Sequence, residues 1–234
     1  FSEWAGTDKV AEMYTDNGPE LLSACRAKKW PNPTSTQGIA ATNHEAERTV
    51  RECKEGIRCN IAQSGLAPRA WRGVAGRHWC LARNTKIDSD GYSSWFRRKS
   101  RPFEGLRIPF GAAVGYMPIP EALKDQDPAA PTMPIGIFLG WHLNPGAVFT
   151  GDDLVAELEP FRKNVDAGFS KRKGGAKVHR IKEVKTIDGP MTFPVAEWRV
   201  IAEAASKHDA LNWSEDDVEK DSSSEDENEE KESL

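Results

Sequence analysis

Two acidic side chains, Asp16 and Glu47, lie 31 positions apart at places where a chain can do chemistry. Lys9–Thr15 sets Val10, Glu12 and Tyr14 on one side and Ala11, Met13 and Thr15 on the other, the period of a short strand. Asn17-Gly18-Pro19 follows as a turn. Asp16 therefore stands where strand gives way to turn, at an open sheet end of the kind where ligands bind. Glu47 stands near a helix start, where the helix dipole stabilises a carboxylate. Arg51 and Lys54 follow at i+4 and i+7, one and two turns further along the Glu47 side. Each residue also has a plain structural reading. Asp16 can serve as a turn or N-cap residue, and Glu47 with Arg51 can be a solvated pair worth ~0.3–0.5 kcal/mol.

The elements that must hold these side chains are read from periodicity. Pro19 opens a helix to Lys29 with Leu21, Leu22 and Cys25 on its buried side. From His44 to Gln63, Ala46, Val50, Cys53, Ile57 and Ile61 recur at helical spacing, so Glu47 sits beside an apolar stripe. A further helix over 67–84 follows Gly65, with Trp71, Val74, His78 and Leu81 as its apolar face. His78 and Cys80 invite a metal reading, but an i,i+2 pair on a helix points to different faces, so none is assigned.

Thr15-Asp16-Asn17-Gly18-Pro19-Glu20, then a polar loop, then Asn43-His44-Glu45-Ala46-Glu47-Arg48 and a basic helix, together resemble the integrase catalytic core of copia-type retrotransposons. The family usually carries Gly-Val where His44-Glu45 stand here. The resemblance implies a ribonuclease-H-like fold with an Asp, Asp, Glu triad, in which Asp16 matches the second Asp and Glu47 the Glu. Both would be catalytic and metal ligands. Arg51 and Lys54 match basic positions that face DNA, and Gln37 falls in the DNA-facing loop ahead of the catalytic helix. The implied cofactor is Mg²⁺ (or Mn²⁺): hard cations take carboxylate oxygens, and paired ions clamp the attacking and leaving oxygens of a phosphodiester. The family's first Asp has no match before Asp16, since Asp8 lies too close. The chain is thus expected to enter the catalytic core midway and to be inactive alone.

The resemblance runs over roughly residues 8–160. Ala70-Trp71 and Leu81-Ala82-Arg83-Asn84 resemble the late core helices, and Phe110-Gly111 with Gly136-Ile137-Phe138-Leu139-Gly140-Trp141 resembles the small β domain that follows. The expected fold is accordingly α/β, the C-terminal half of the core followed by a small β-barrel-like domain. The expected division is 1–84 partial core, 85–102 connector, 103–161 β domain, 162–213 basic linker and 214–234 disordered acidic tail. Leu106–Gly111, Ala113–Met117, Ile135–Trp141, Ala147–Phe149 and Leu154–Leu158 are the strand candidates, broken by Gly and Pro.

Composition supports a globular body with a solvated end: 38% of the 234 residues are apolar and 29% charged. The net charge of −4 is asymmetric, for residues 215–232 carry −9 and the remainder +5. A basic body suits a nucleic-acid surface, while the tail suits basic partners and has nothing to bury. The Ser94–Lys99 aromatic–basic cluster and the lysines and arginines of 162–185 are either phosphate contacts or solvated connectors. Cys25, Cys53, Cys59 and Cys80 form no CxxC pair and read as buried thiols of a reducing, intracellular compartment. No run approaches a membrane span. By resemblance, the reaction is 3′-end processing and strand transfer of DNA, by a homo-oligomer in the full-length enzyme, nuclear at that step. The alternatives are a non-catalytic nucleic-acid-binding module and a chromatin-interacting protein that works through the acidic tail.

Overall fold

The computed structural model describes residues 2–15, 18–34, 44–118, 132–169 and 175–206. Asp16, Gln37 and the acidic tail lie outside them. In chain order the elements are α1 (Ser2–Ala5), α2 (Pro19–Lys28), α3 (His44–Ser64), α4 (Pro68–Thr85), α5 (Ser94–Lys99), β1 (Ala113–Tyr116), β2 (Ile135–Asn144), β3 (Val148–Glu157), α6 (Glu159–Lys163), β4 (Val178–Ile181), β5 (Val184–Thr186) and α7 (194–206). The fold is mixed α/β, with helices first, then a five-stranded antiparallel sheet, then a helix.

The strand expected over Lys9–Thr15 is reduced to one parallel bridge, Thr15 to Thr34, on either side of α2. The returning segment contains Pro31 and Pro33, which have no N–H to donate. Their carbonyls still accept, from Met13 N–H at 2.9 Å and Thr15 N–H at 3.3 Å. Asn32 supplies a missing donor with its side chain, giving Nδ2–H to the Met13 carbonyl at 2.6 Å.

Helices α3 and α4 form an antiparallel hairpin. Gly65, at φ +69°, ends α3, and a Cβ there would also strike the Ala196 backbone at 2.3 Å. The helices meet at Gly56, which lies under the Trp79 indole. Burial along the expected α3 stripe fades toward its N-terminus: Ile61 is buried, Ile57 and Cys53 half-buried, and Val50 is 52% exposed. The segment read as a polar connector holds α5, capped by Ser93 Oγ, which accepts from Phe96 N–H at 3.1 Å. Trp95 is buried.

The sheet order is β4-β3-β2-β1-β5. Strands β4 and β5 come from the segment expected to be a linker, where Val178 and Ile181 pack on the core. Ala147–Phe149 and Leu154–Leu158 belong largely to one strand, β3, and Leu106–Gly111 is irregular. Only Lys182 and Glu183 separate β4 from β5, yet these two strands are the opposite edges of the sheet. Laid flat, five strands would put the edges about 19 Å apart. Three peptide units reach roughly 11 Å. The edges are also staggered: Ile181 is level with Trp141, whereas Val184 is level with Pro134, seven residues back. The hydrogen-bond ladder is open, and the sheet is coiled on itself.

A bulge drives part of that coiling. Between Phe138 and Trp141, β2 carries one residue more than β3 does between Val155 and Asp153. The extra residue changes which face Trp141 joins. Ile137 and Leu139 pack with Trp71, Phe161 and Val195 under the helices. Phe138 and Trp141 pack with Val114, Val155 and Ile181 on the other face. Both faces are thus buried.

Candidate nucleic-acid interface

Helix α3 brings Glu47, Arg51 and Lys54 onto one exposed face, as the spacing requires. The same face continues to Arg58, a further turn on and likewise exposed. From Arg51 to Arg58 the helix rises about 10 Å, at 1.5 Å per residue. Among the described residues, Arg51, Lys54 and Arg58 enter no ion pair. Exposed Glu55 is the acidic neighbour of this row. Asp16 follows bridged Thr15 directly but lies, like Gln37, outside the described residues, so neither is placed against Glu47.

Several other cations of the body are engaged in ion pairs, while exposed Arg69, Arg72 and Arg77 of α4 are, like the α3 row, in none among the described residues. Arg48 and Arg83 both reach Glu52, Nε to Oε1 at 3.1 Å and Nη2 to Oε2 at 2.6 Å, and hold its carboxyl below the usual range. In the α5 cluster, Arg97 pairs with Asp88 and Asp90, while Arg98 pairs with Asp8 and lies 4.2 Å from the Trp4 ring centre. In the 162–185 segment, Arg162 and Lys163 face Glu159, Arg180 meets Asp152 at 2.5 Å and Lys185 meets Glu183. Lys177 and Lys182 of that segment are in no ion pair among the described residues, and 170–174 lie outside them. Arg58 was not among the sequence candidates. Its i+11 spacing from Glu47 was the available signal.

His78 is not a ligand in waiting. It is buried, and its Nε2–H donates to the Ile108 carbonyl at 3.0 Å, which makes Nδ1 the acceptor from Asn60 Nδ2 at 3.3 Å. Burial pushes its pKa down. The thiols depart from the expected burial: Cys25 is buried, Cys53 half-buried, and Cys59 and Cys80 exposed. Among the described residues no group of three or more His, Cys, Asp or Glu is placed to hold a metal. None of their helices is long and apolar enough to cross a membrane. A groove of about 700 Å³ runs between α4 and β2, lined by Leu81, Trp95, Leu139 and Trp141 with Arg98 at its rim. It is mostly apolar, with His78, Cys80 and His142 as titratable groups of its lining.

No protein-family profile matches the chain, and neither does any curated protein.

Proposed function

We propose that the chain is integrase sequence of a copia-type retrotransposon polyprotein, acting on DNA through the exposed face of α3. The observation that carries the reading is the row Glu47, Arg51, Lys54, Arg58, an acid followed by three cations that have no ion-pair partner among the described residues. A row of free cations on a rigid helix binds phosphates by releasing their counterions. The chain before α3 supports the same reading. A parallel bridge pairs Thr15, the residue before Asp16 in the sequence, with Thr34. The coiled antiparallel sheet, with Gly136–Trp141 in its central strand, is compatible with the small β-barrel-like domain of the family.

Glu47 is exposed and in no ion pair among the described residues, so its oxygens are open to a hard cation. Asp16 and Glu47 would hold Mg²⁺ or Mn²⁺, which when bound supplies charge stabilisation to the attacking and leaving oxygens of the phosphodiester. The family's triad includes a first Asp besides these two. Arg51, Lys54 and Arg58 hold the DNA backbone in register, and Gln37 contributes from the preceding loop. The test is a chain that also carries the family's first Asp-bearing strand. Glu47→Gln should abolish joining and leave DNA binding nearly intact, whereas Arg51→Ala should weaken binding. Joining that survives Glu47→Gln would remove the assignment. The second reading, a module that binds DNA without chemistry, rests on the same cation row and requires neither acid.

A further inference from the structure

We propose that Cys53 and Cys80 are a reversible disulfide site that ties α3 to α4. Their sulfurs lie 3.9 Å apart across the helix hairpin, and both thiols are free. A disulfide has sulfurs about 2.05 Å apart, so the pair must close by about 2 Å. The contacts on either side hold the two helices in register around it. On one side Glu52 bridges to Arg83 at 2.6 Å, and on the other Asn60 Nδ2–H donates to the Ala75 carbonyl at 3.0 Å. Between them Gly56 packs under Trp79, leaving no side chain there to wedge the helices apart.

Cys80 is exposed and Cys53 half-buried, so a small oxidant can reach them from the surface. The other two thiols differ. Cys25 is buried, its thiol 3.7 Å from the Met13 sulfur, and Cys59 is exposed with no second thiol beside it among the described residues.

The oxidant is a peroxide. The Cys53 thiolate attacks one peroxide oxygen, the O–O bond breaks, and the departing hydroxide leaves as water once it takes a proton. This gives a sulfenic acid at Cys53. The Cys80 sulfur then attacks the Cys53 sulfur, the S–O bond breaks, and the second hydroxide takes the Cys80 proton and leaves as water. Two thiols and one hydrogen peroxide become one disulfide and two waters. Partial burial and the neighbouring Cys53 sulfur push the Cys80 thiol up to about 11, which disfavours Cys80 as the first nucleophile. The bond would close a loop spanning 27 positions and so restrict the unfolded chain. It would also fix α3, and the cation row on it, against α4. The inference does not rest on the proposed activity.

The test treats the full chain with hydrogen peroxide, alkylates the remaining thiols, and maps peptides without reduction. The expected product is a Cys53–Cys80 peptide pair two hydrogens lighter than the free thiols, restored by dithiothreitol, with a melting midpoint several degrees above that of the reduced protein. Cys59→Ser should leave the link unchanged, and Cys53→Ser should abolish it. Recovery of Cys53 and Cys80 as free thiols, or as separate sulfinic acids, under conditions that oxidise Cys59 would overturn the proposal.

Discussion

The imidazole of His78 lies flat against the indole of Trp141, ring centres 4.9 Å apart and planes 18° from parallel, and this stack joins α4 to β2. Both rings also tie down the chain entering the sheet. His78 donates to the Ile108 carbonyl, and Trp141 Nε1–H donates to the Leu106 carbonyl at 2.9 Å. The bulge in β2 is what turns Trp141 to that side.

His78→Phe should keep the stack and lose both hydrogen bonds, leaving the Ile108 carbonyl buried without a donor. A cost of about 1–3 kcal/mol is expected in urea unfolding. His78→Ala also opens a cavity and should cost about 3–5 kcal/mol. An alanine variant as stable as the parent would show that the stack does not hold the two layers together.

Asp153 gives the fold a distinctive pH response. It shares the inner sheet face with Val155, is 6% exposed, and its Oδ1 has no hydrogen-bond partner among the described residues. Burial, with the charge of Asp152 beside it, pushes its pKa up to about 7. The native state therefore holds a proton that the unfolded chain releases near its free value of 3.8. Stability from this group is complete below that value and is lost as pH rises towards about 7. Asp153→Asn should remove this loss. Melting midpoints of parent and variant should diverge steadily between pH 4 and pH 7, the variant becoming relatively more stable. Parallel curves would contradict the assignment.

Gly56→Ala places a methyl 1.8 Å from the Trp79 indole nitrogen, closer than any real contact. The Trp79 indole must leave its seat or the α3–α4 hairpin must spread, at an expected cost of about 1–3 kcal/mol despite the better helix propensity of Ala. Gly73→Ala, on the same hairpin with open space around it, should be neutral or stabilising and serves as the control. Equal melting midpoints for the two variants would count against this packing.

Removing residues 215–234 should strengthen DNA binding at low ionic strength. The segment 215–232 carries −9 and the remainder of the chain +5, so the proposed effect of the tail is to repel DNA or to compete for basic surface. The gain should shrink as salt screens it. Equal affinity of the two chains at low salt would dispose of that role for the tail.

The parts legible in the sequence are those with a clean period. Helices α3 and α4 end within a residue or so of the expected positions, because Pro68 and Gly65 punctuate apolar stripes of helical spacing. Strands β2 and β3 were visible as apolar runs between glycines. β4 and β5 were not, because they are short edge strands in which Arg180 and Lys185 are exposed and the basic residues dominate the text. Only pairing across the coiled sheet fixes them. The extent of Lys9–Thr15 was overstated because its alternation says nothing of the prolines in the partner segment. Spacing puts Arg51 and Lys54 on the helix side of Glu47, and their expected DNA-facing role comes from the family resemblance. What spacing could not show is which cations are already taken: Arg48 is spent on Glu52, and Arg58 is free of ion pairs among the described residues.

The most direct measurement of the central claim is a titration of duplex DNA against the chain at two salt concentrations, with Arg51, Lys54 and Arg58 changed together to Ala. The parent should lose affinity steeply as salt rises, and the triple variant should bind more weakly with a slope shallower by about 2–3 units of log K per log salt. Arg48→Ala, which removes a cation engaged with Glu52, should change the slope far less. A flat salt response in the parent, or a triple variant whose slope matches it, would contradict the assignment of this face of α3 to DNA.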